Sequence, residues 1–381
     1  MKNITKSIVY VGVDDKTIDL FEGQYVVPNG VAYNSYVMLD DKIAVFDTVD
    51  KRKTKEWLDN LEVALSGKTP AYLVISHMEP DHSASIAAFM AKYPNTIVVG
   101  NEKTFTIAER FFGNIFPNRL TVKEGEKLQL GAHTLTFVFA PMVHWPEVMF
   151  TYETTEKVLF SADAYGKFGA LDTDEDWACE GRRYYFNIVG KYGATVQSVL
   201  KKAAGLDISI ICPLHGPILT ENLGYYLDKY NTWSSYAPED KGVTIAYASI
   251  YGNTAAAAKK LAELLAAKGE KVSLFDLARC DTAEAIEDAF RYDRLVVASN
   301  TYDAGIMPVM EDFLNHLKAK NYQNRKVAFI ENGSWAPAAA KVMRSYFEAM
   351  KNMTLVEKTV TVKSAFKSET EAELKELADM L

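Results

Sequence analysis

The chain lacks most features that mark membrane, secreted or nucleic-acid-binding proteins. Across 381 residues no apolar run reaches the length of about eighteen that a bilayer-spanning helix needs. The opening segment MKNITKSIVYVGVDD has acidic residues where a signal peptide requires an apolar core, so export is not expected. Cysteine is scarce: Cys179, Cys212 and Cys280 lie far apart, form no CxxC pair and cannot build a disulfide framework or a redox dithiol. They read as reduced thiols. A net charge of −8, with no basic patch interleaved with aromatics, argues against a nucleic-acid partner. There is no internal repeat or low-complexity tract. A soluble cytoplasmic protein is the expectation.

What remains is a globular composition, 48% hydrophobic and 24% charged, in a chain long enough for two domains. The first fifty residues favour strands, and VAYNSYVMLDD with KIAVFDTVD alternates apolar and polar positions around a DDK turn, which predicts a hairpin. Short apolar strands then alternate with helical stretches: AYLVIS (71–76), NTIVVG (95–100), HTLTFVFAP (133–141), KVLFSAD (157–163) and DISIICPLHG (207–216). This mixture predicts sheets packed between helices. Near SSYAPEDKG (234–242) the pattern restarts, and a boundary at Pro238 gives domains 1–238 and 239–381. The second domain reads as five βα repeats, with strands at 243–248, 271–277, 294–300, 326–332 and 354–362. Helices are expected from near Thr254, Thr282, Pro308, Ala336 and Glu369, with Gly269 closing the first. Five strands with crossover helices make a doubly wound parallel sheet.

Two sets of residues carry chemistry. His77, Glu79, Asp81 and His82 form HMEPDH directly after the strand AYLVIS. Carboxylates packed this densely beside an apolar strand repel one another unless a multivalent cation joins them. Three later strands each end in a further ligand type, at His144, Asp163 and His215. Residues at the carboxyl ends of neighbouring strands converge on one sheet edge. These seven ligand types suffice for two metals sharing one carboxylate. Four of the chain's six histidines lie in this set; His133 and His316 lie outside it and read as core or surface residues. A solvated polar turn would explain HMEPDH alone, but not the three later ligands.

The pattern HxExDH with a later His, Asp and His resembles the metal signature of the metallo-β-lactamase superfamily, whose zinc hydrolases usually have His where this chain has Glu79. Carboxylate for imidazole adds negative charge and a harder donor, which favours redox iron over tetrahedral zinc. The chain thereby resembles the flavodiiron proteins. The resemblance implies an N-terminal metallo-β-lactamase-like αββα sandwich, with His77, Glu79 and His144 on one iron, Asp163 bridging, and Asp81, His82 and His215 on the other.

The second set follows the first strand of the second domain. Ser249, Ile250, Tyr251, Gly252, Asn253 and Thr254 form a loop opening a helix, where free N–H groups, hydroxyls and the helix dipole favour an anion. Gly252 permits the tight turn. No Walker lysine and no GxGxxG are present, so a single terminal phosphate fits better than a nucleotide triphosphate or dinucleotide. A capped helix after a turn is the plainer alternative. The loop resembles the phosphate loop of flavodoxins, which bind FMN. Asn300, Thr301, Tyr302, Asp303, Ala304 and Gly305, with Asn332, Gly333, Ser334 and Trp335, fall where flavodoxins hold the isoalloxazine. Tyr302 and Trp335 either stack on the ring or pack under a loop. The charge of Asp303 is expected to lower the flavin potential.

The flavodiiron resemblance spans nearly the whole chain. It implies electron flow from an external carrier, rubredoxin by resemblance, through FMN to two non-haem irons, and reduction of dioxygen to water, nitric oxide to nitrous oxide, or both. No cysteine pairs or reductase domain follow, so the donor is expected to be separate. A head-to-tail homodimer or dimer of dimers is implied. The rivals are a zinc hydrolase with a regulatory flavin domain, and an electron carrier fused to a structural metal domain.

Overall fold

The computed structural model describes residues 2–114 and 116–381. It divides into two compact units: Met1–Tyr184 with Ala194–Asn231, and Tyr185–Gly193 with Thr232–Leu381.

The first unit is built on a seven-stranded and a five-stranded sheet. Apolar side chains from both meet in one core: Tyr36, Phe46, Val74 and Val99 from the first sheet, Leu135, Phe137, Met149 and Phe160 from the second. Phe46 and Phe160 stack with centroids 3.8 Å apart and planes 8° apart, pinning the sheets face to face. Such a ring contributes about 1.5–3 kcal/mol by burial. On the outer side, Trp57 of the helix Thr54–Leu65 packs against Phe89 of the helix Ile86–Lys92. The predicted hairpin forms, with Tyr36–Met38 antiparallel to Ala44–Phe46. The first half of VAYNSYVMLDD does not belong to it, because Val31–Tyr33 pairs instead with Val13–Asp15. The expected alternation does not hold, since every residue from Val31 to Met38 is buried, and Asn34 leaves the ladder, its amide N–H donating to Leu214 O at 2.8 Å.

The second unit holds the expected doubly wound sheet. Five parallel strands run in the order Val272–Asp276, Asp240–Ala248, Tyr292–Tyr302, Lys326–Asn332, Thr354–Val362. The helix Asn253–Ala267 buries Ala257, Ala258, Leu261 and Leu265 on this sheet. It ends where Gly269 takes φ +82°, which lets the Glu270 N–H reach back to Leu265 O at 3.1 Å. The helix expected near Ala336 begins at Ala339, after the segment carrying Pro337. The segment Tyr185–Gly193 was not anticipated in this unit. Phe186 stacks on Phe290 at 4.1 Å, and Asn187 donates to Ala283 O at 3.2 Å. Among the described residues, no helix is long and apolar enough to cross a membrane.

Candidate functional site

Strand ends bring the HMEPDH segment and the three later ligand types together. Tyr72–Val74 lies between Ala44–Phe46 and Ile97–Gly100, and its carboxyl end runs into His77. Pro80 then sits at the first turn of the helix Pro80–Ser83, which carries Asp81 and His82, with Glu79 at the N-cap. In the second sheet, Val158–Phe160 and Ile210–Cys212 run parallel and deliver Asp163 and His215 to the same edge. His144 lies in the turn between Thr134–Phe139 and Met149–Glu153.

The side chains form two groups. His77, Glu79, His144 and Asp163 each offer an atom within 4.8 Å of the others, and Asp81, His82 and His215 form a second such set. Glu79 Oε2 lies 3.2 Å from His77 Nε2 and 2.9 Å from His144 Nε2. Asp81 Oδ2 lies 3.3 Å from His82 Nε2 and 3.2 Å from His215 Nε2. Asp163 stands between the groups. Its Oδ2 is 3.4 Å from His77 Nε2 and 3.3 Å from His144 Nε2, and its Oδ1 is 3.2 Å from His82 Nε2.

Apart from His77 Nε2 to Glu79 Oε2, these contacts are close but poorly formed as hydrogen bonds. Both oxygens of Asp81 and of Asp163, and His144 Nε2, are buried without an aligned partner. Buried polar atoms are almost always satisfied, so a cluster of orphans at one point signals a missing group. His215 Nδ1 donates to Ala32 O at 2.8 Å, which leaves its Nε2 facing His82 Nε2 at 3.0 Å. Two imidazole nitrogens at that distance need a proton or a cation between them. Nitrogen and oxygen lone pairs converging from four imidazoles and three carboxylates fit a pair of metal ions.

Without ions, protons fill part of that role. Burial opposes charge on His144, yet Asp163 and Glu79 raise its pKa to about 9. Burial also opposes charge on His77, but Asp163 and Glu147 raise it well above the ordinary histidine range. Against the same burial, His77 and His144 hold the Asp163 carboxyl well below its ordinary value. This is the electrostatics of a cation site, with imidazolium in place of metal.

Three participants escaped the sequence reading. Glu147, buried with 1% exposure, has Oε1 2.8 Å from His77 Nδ1. Asp47 Oδ1 accepts from Ser76 N at 2.7 Å and His77 N at 3.3 Å. Tyr33 faces the His215 ring at 6.0 Å and accepts from Arg52 Nη2 at 3.1 Å. Tyr33 and Arg52 line a cleft of about 290 Å³ that also reaches Glu22, Glu79 and Asp81. Only Glu147 carried a signal, as an acid three residues beyond His144. Trp145 stands edge-on to His77 at 5.3 Å. His133 pairs with Asp40 Oδ2 at 2.8 Å and His316 lies near Asp312, both outside the cluster.

The predicted flavin residues gather at the carboxyl ends of adjacent parallel strands in the second unit, beside the point where strand order reverses. Gly252 has φ +88° and caps the helix Asn253–Ala267. Asn300 Oδ1 accepts from Ile250 N at 3.2 Å and Thr254 Oγ1 at 3.0 Å, bracing the loop. Gly252 N donates to Ser249 Oγ, and Asn253 Oδ1 accepts from Phe366 N. Asn300, Thr301 and Tyr302 belong to the strand rather than to a loop, because Thr301 and Tyr302 pair back onto Gly305–Ile306. Asp303 and Ala304 form the turn at φ +48° and +58°. Thr301 Oγ1 accepts from Ala338 N, and Ser334 Oγ from Ser364 Oγ. Asn332 donates to Ser364 O, and Gly333 follows with Pro337 packed on it. Tyr251 and Trp335 are 90% and 91% exposed, with Tyr302 at 46%. Bare aromatic faces beside an anion-binding helix end fit a flat ring carrying a phosphate.

Comparison with known proteins agrees with both halves. Residues 31–216 match the family described as ODP family beta lactamase, and residues 245–374 match flavodoxin. The chain is 30% identical over 346 residues to the anaerobic nitric oxide reductase flavorubredoxin of Vibrio vulnificus, covering 87% of this chain and 70% of the relative. It is 30% identical over 369 residues to the nitric oxide reductase of Moorella thermoacetica, covering 94% and 92%. The structure superposes on the rubredoxin oxygen:oxidoreductase of Desulfovibrio gigas with a TM-score of 0.92 and 27% identity, covering 99% and 96%. Its fold also matches the flavodiiron protein of Giardia intestinalis, with a TM-score of 0.91, 24% identity and coverage of 100% and 95%.

Proposed function

The chain belongs to the flavodiiron proteins, and from that premise we propose that it is an oxidoreductase that reduces dioxygen, nitric oxide or both with electrons from an external carrier. The observation that carries the reading is Asp163, with one oxygen turned to each ligand group. His77, Glu79 and His144 would hold one iron and Asp81, His82 and His215 the other, with the Asp163 carboxylate shared between them. Irons bound there supply redox electrons and open coordination positions for a diatomic gas.

The protein's own part is to hold, tune and admit. The Nδ1–H of His215, fixed on Ala32 O, sets which nitrogen faces the metal. Glu79, in place of imidazole, adds the anionic donor that favours iron over zinc. The cleft bounded by Tyr33, Arg52 and Glu22 is the approach for gas and protons from solvent. In the second unit, Ser249 to Thr254 would take the FMN phosphate, and Asn300 to Gly305 with Asn332 to Trp335 would border the ring. The names of relatives support rubredoxin as the electron donor. The family likeness implies a head-to-tail homodimer or dimer of dimers, and the composition is that of a cytoplasmic protein.

The test is anaerobic mixing with chemically reduced rubredoxin, followed by addition of dioxygen or nitric oxide. Flavin reduction and gas consumption are both expected in the parent; in Asp163→Asn only flavin reduction survives. Hydrolysis of a lactam or phosphodiester, with no gas consumed, would transfer the reading to a zinc hydrolase.

A further inference from the structure

Glu147 is fully enclosed, and none of the roles above uses it. Its Oε1 accepts from Met78 N at 2.9 Å and meets His77 Nδ1 at 2.8 Å. A carboxylate only accepts, so Nδ1 of His77 keeps its proton toward Glu147, and Nε2 is the nitrogen turned to Glu79, His144 and Asp163. The backbone of Glu147 is anchored as well: Asn101 Nδ2 donates to its carbonyl at 2.6 Å, while the Asn101 side-chain oxygen caps the helix Glu102–Phe112. The turn 144–147 therefore contributes one ligand, His144, and braces a second, His77.

Among the described residues no carboxylate is hydrogen-bonded to an Nδ1 of the other ligand group, although buried Asp47 lies near His82. His215 Nδ1 rests on a neutral carbonyl, Ala32 O, and His82 Nδ1 has no hydrogen-bond partner among the described residues. A carboxylate behind an imidazole raises its donor strength and fixes its ring, whereas an unsupported imidazole has neither advantage.

We propose that Glu147 is a positioning residue that backs His77 and makes the two metal positions unequal, with the His77–Glu79–His144 position holding its metal more tightly than the Asp81–His82–His215 position. The proposal rests on the diiron reading above.

The experiment loads the full chain anaerobically with two equivalents of ferrous iron and follows iron release to the chelator ferrozine. Two phases of equal amplitude are expected from the parent. Glu147→Gln, which keeps an acceptor for Met78 N but loses the charge, should speed the slow phase about 10- to 100-fold and leave the fast phase unchanged. Glu147→Asp should recover part of the slow rate. His82→Asn, which leaves Glu147 intact, should lose only the fast phase, so the test survives poor folding of the first variant. A single release rate in the parent, or a slow phase unmoved by Glu147→Gln, overturns the proposal while two bound irons still stand. A chain that takes up no iron overturns the diiron reading and the proposal with it.

Discussion

Replacing Asp163 by Asn removes the one carboxylate that faces both ligand groups, and its effect can be sized in advance. A ligand present at a hundred times its Kd stabilises the folded state by about 2.7 kcal/mol. For a unit the size of Met1–Tyr184 with Ala194–Asn231, that is a rise in Tm of about 5–11 °C per iron. Loss of a partner that merely orients a ligand weakens metal binding by about 10- to 100-fold, and a direct bridging ligand sets at least the upper value. At the same iron concentration a hundredfold loss leaves about 0.4 kcal/mol, or less than about 2 °C. The metal-free variant has a Tm of its own, since Asp163 is ion-paired to His77 and His82 in the absence of iron. The quantity to compare is thus the iron-induced shift, read by anaerobic scanning calorimetry with and without ferrous iron. A variant shift equal to the parent's would refute the bridging role and the reasoning from orphaned oxygens.

Three further outcomes follow from the geometry. The pKa of His144 in the metal-free fold, about 9, exceeds the unfolded value of about 6.5. Its contribution is therefore present below about pH 6.5 and lost as pH rises through about 9, so the Tm of chelated protein should fall across that window. Iron-loaded protein needs neutral imidazoles and should not share the fall; equal losses in both forms would count against the site. Asn300→Ala removes two hydrogen bonds that brace the phosphate loop, each worth about 0.5–1.5 kcal/mol. FMN affinity, followed by recovery of free-flavin fluorescence, should drop about tenfold, and an unchanged Kd would place the phosphate elsewhere. Asp303→Asn should raise the flavin midpoint potential, only slightly because Asp303 is exposed and solvent screens it; a redox titration showing no rise removes Asp303 from the tuning of the flavin.

Much of the site was legible because its chemistry is written locally. HMEPDH crowds four ligand types onto one strand end and the other three each follow an apolar strand, so a cluster at strand ends could be expected; that the ligands come from two sheets rather than from one sheet edge could not. The parallel sheet of the second unit was equally readable, since each βα repeat carries its own apolar run and helix start. What stayed hidden depends on partners far apart in the chain. Glu147 meets His77 across 70 positions, and Asp47 reaches His77 across 30. Nothing in HWPE or FDTVD says which imidazole or amide it will face. The placement of Tyr185–Gly193 in the second unit was hidden for the same reason, because its anchors, Phe290 and Ala283, lie about a hundred residues on. The split of VAYNSYVMLDD between two sheets falls in a stretch buried throughout, so periodicity could not reveal it.

The central claim is that one polypeptide holds both two irons and one FMN. Its most direct test is the metal and flavin content of protein purified anaerobically, with Asp163→Asn purified alongside. The account predicts two irons and one FMN per chain in the parent, with the FMN retained and the iron lost in the variant. Zinc at the same sites, or a full iron complement in the variant, would contradict it.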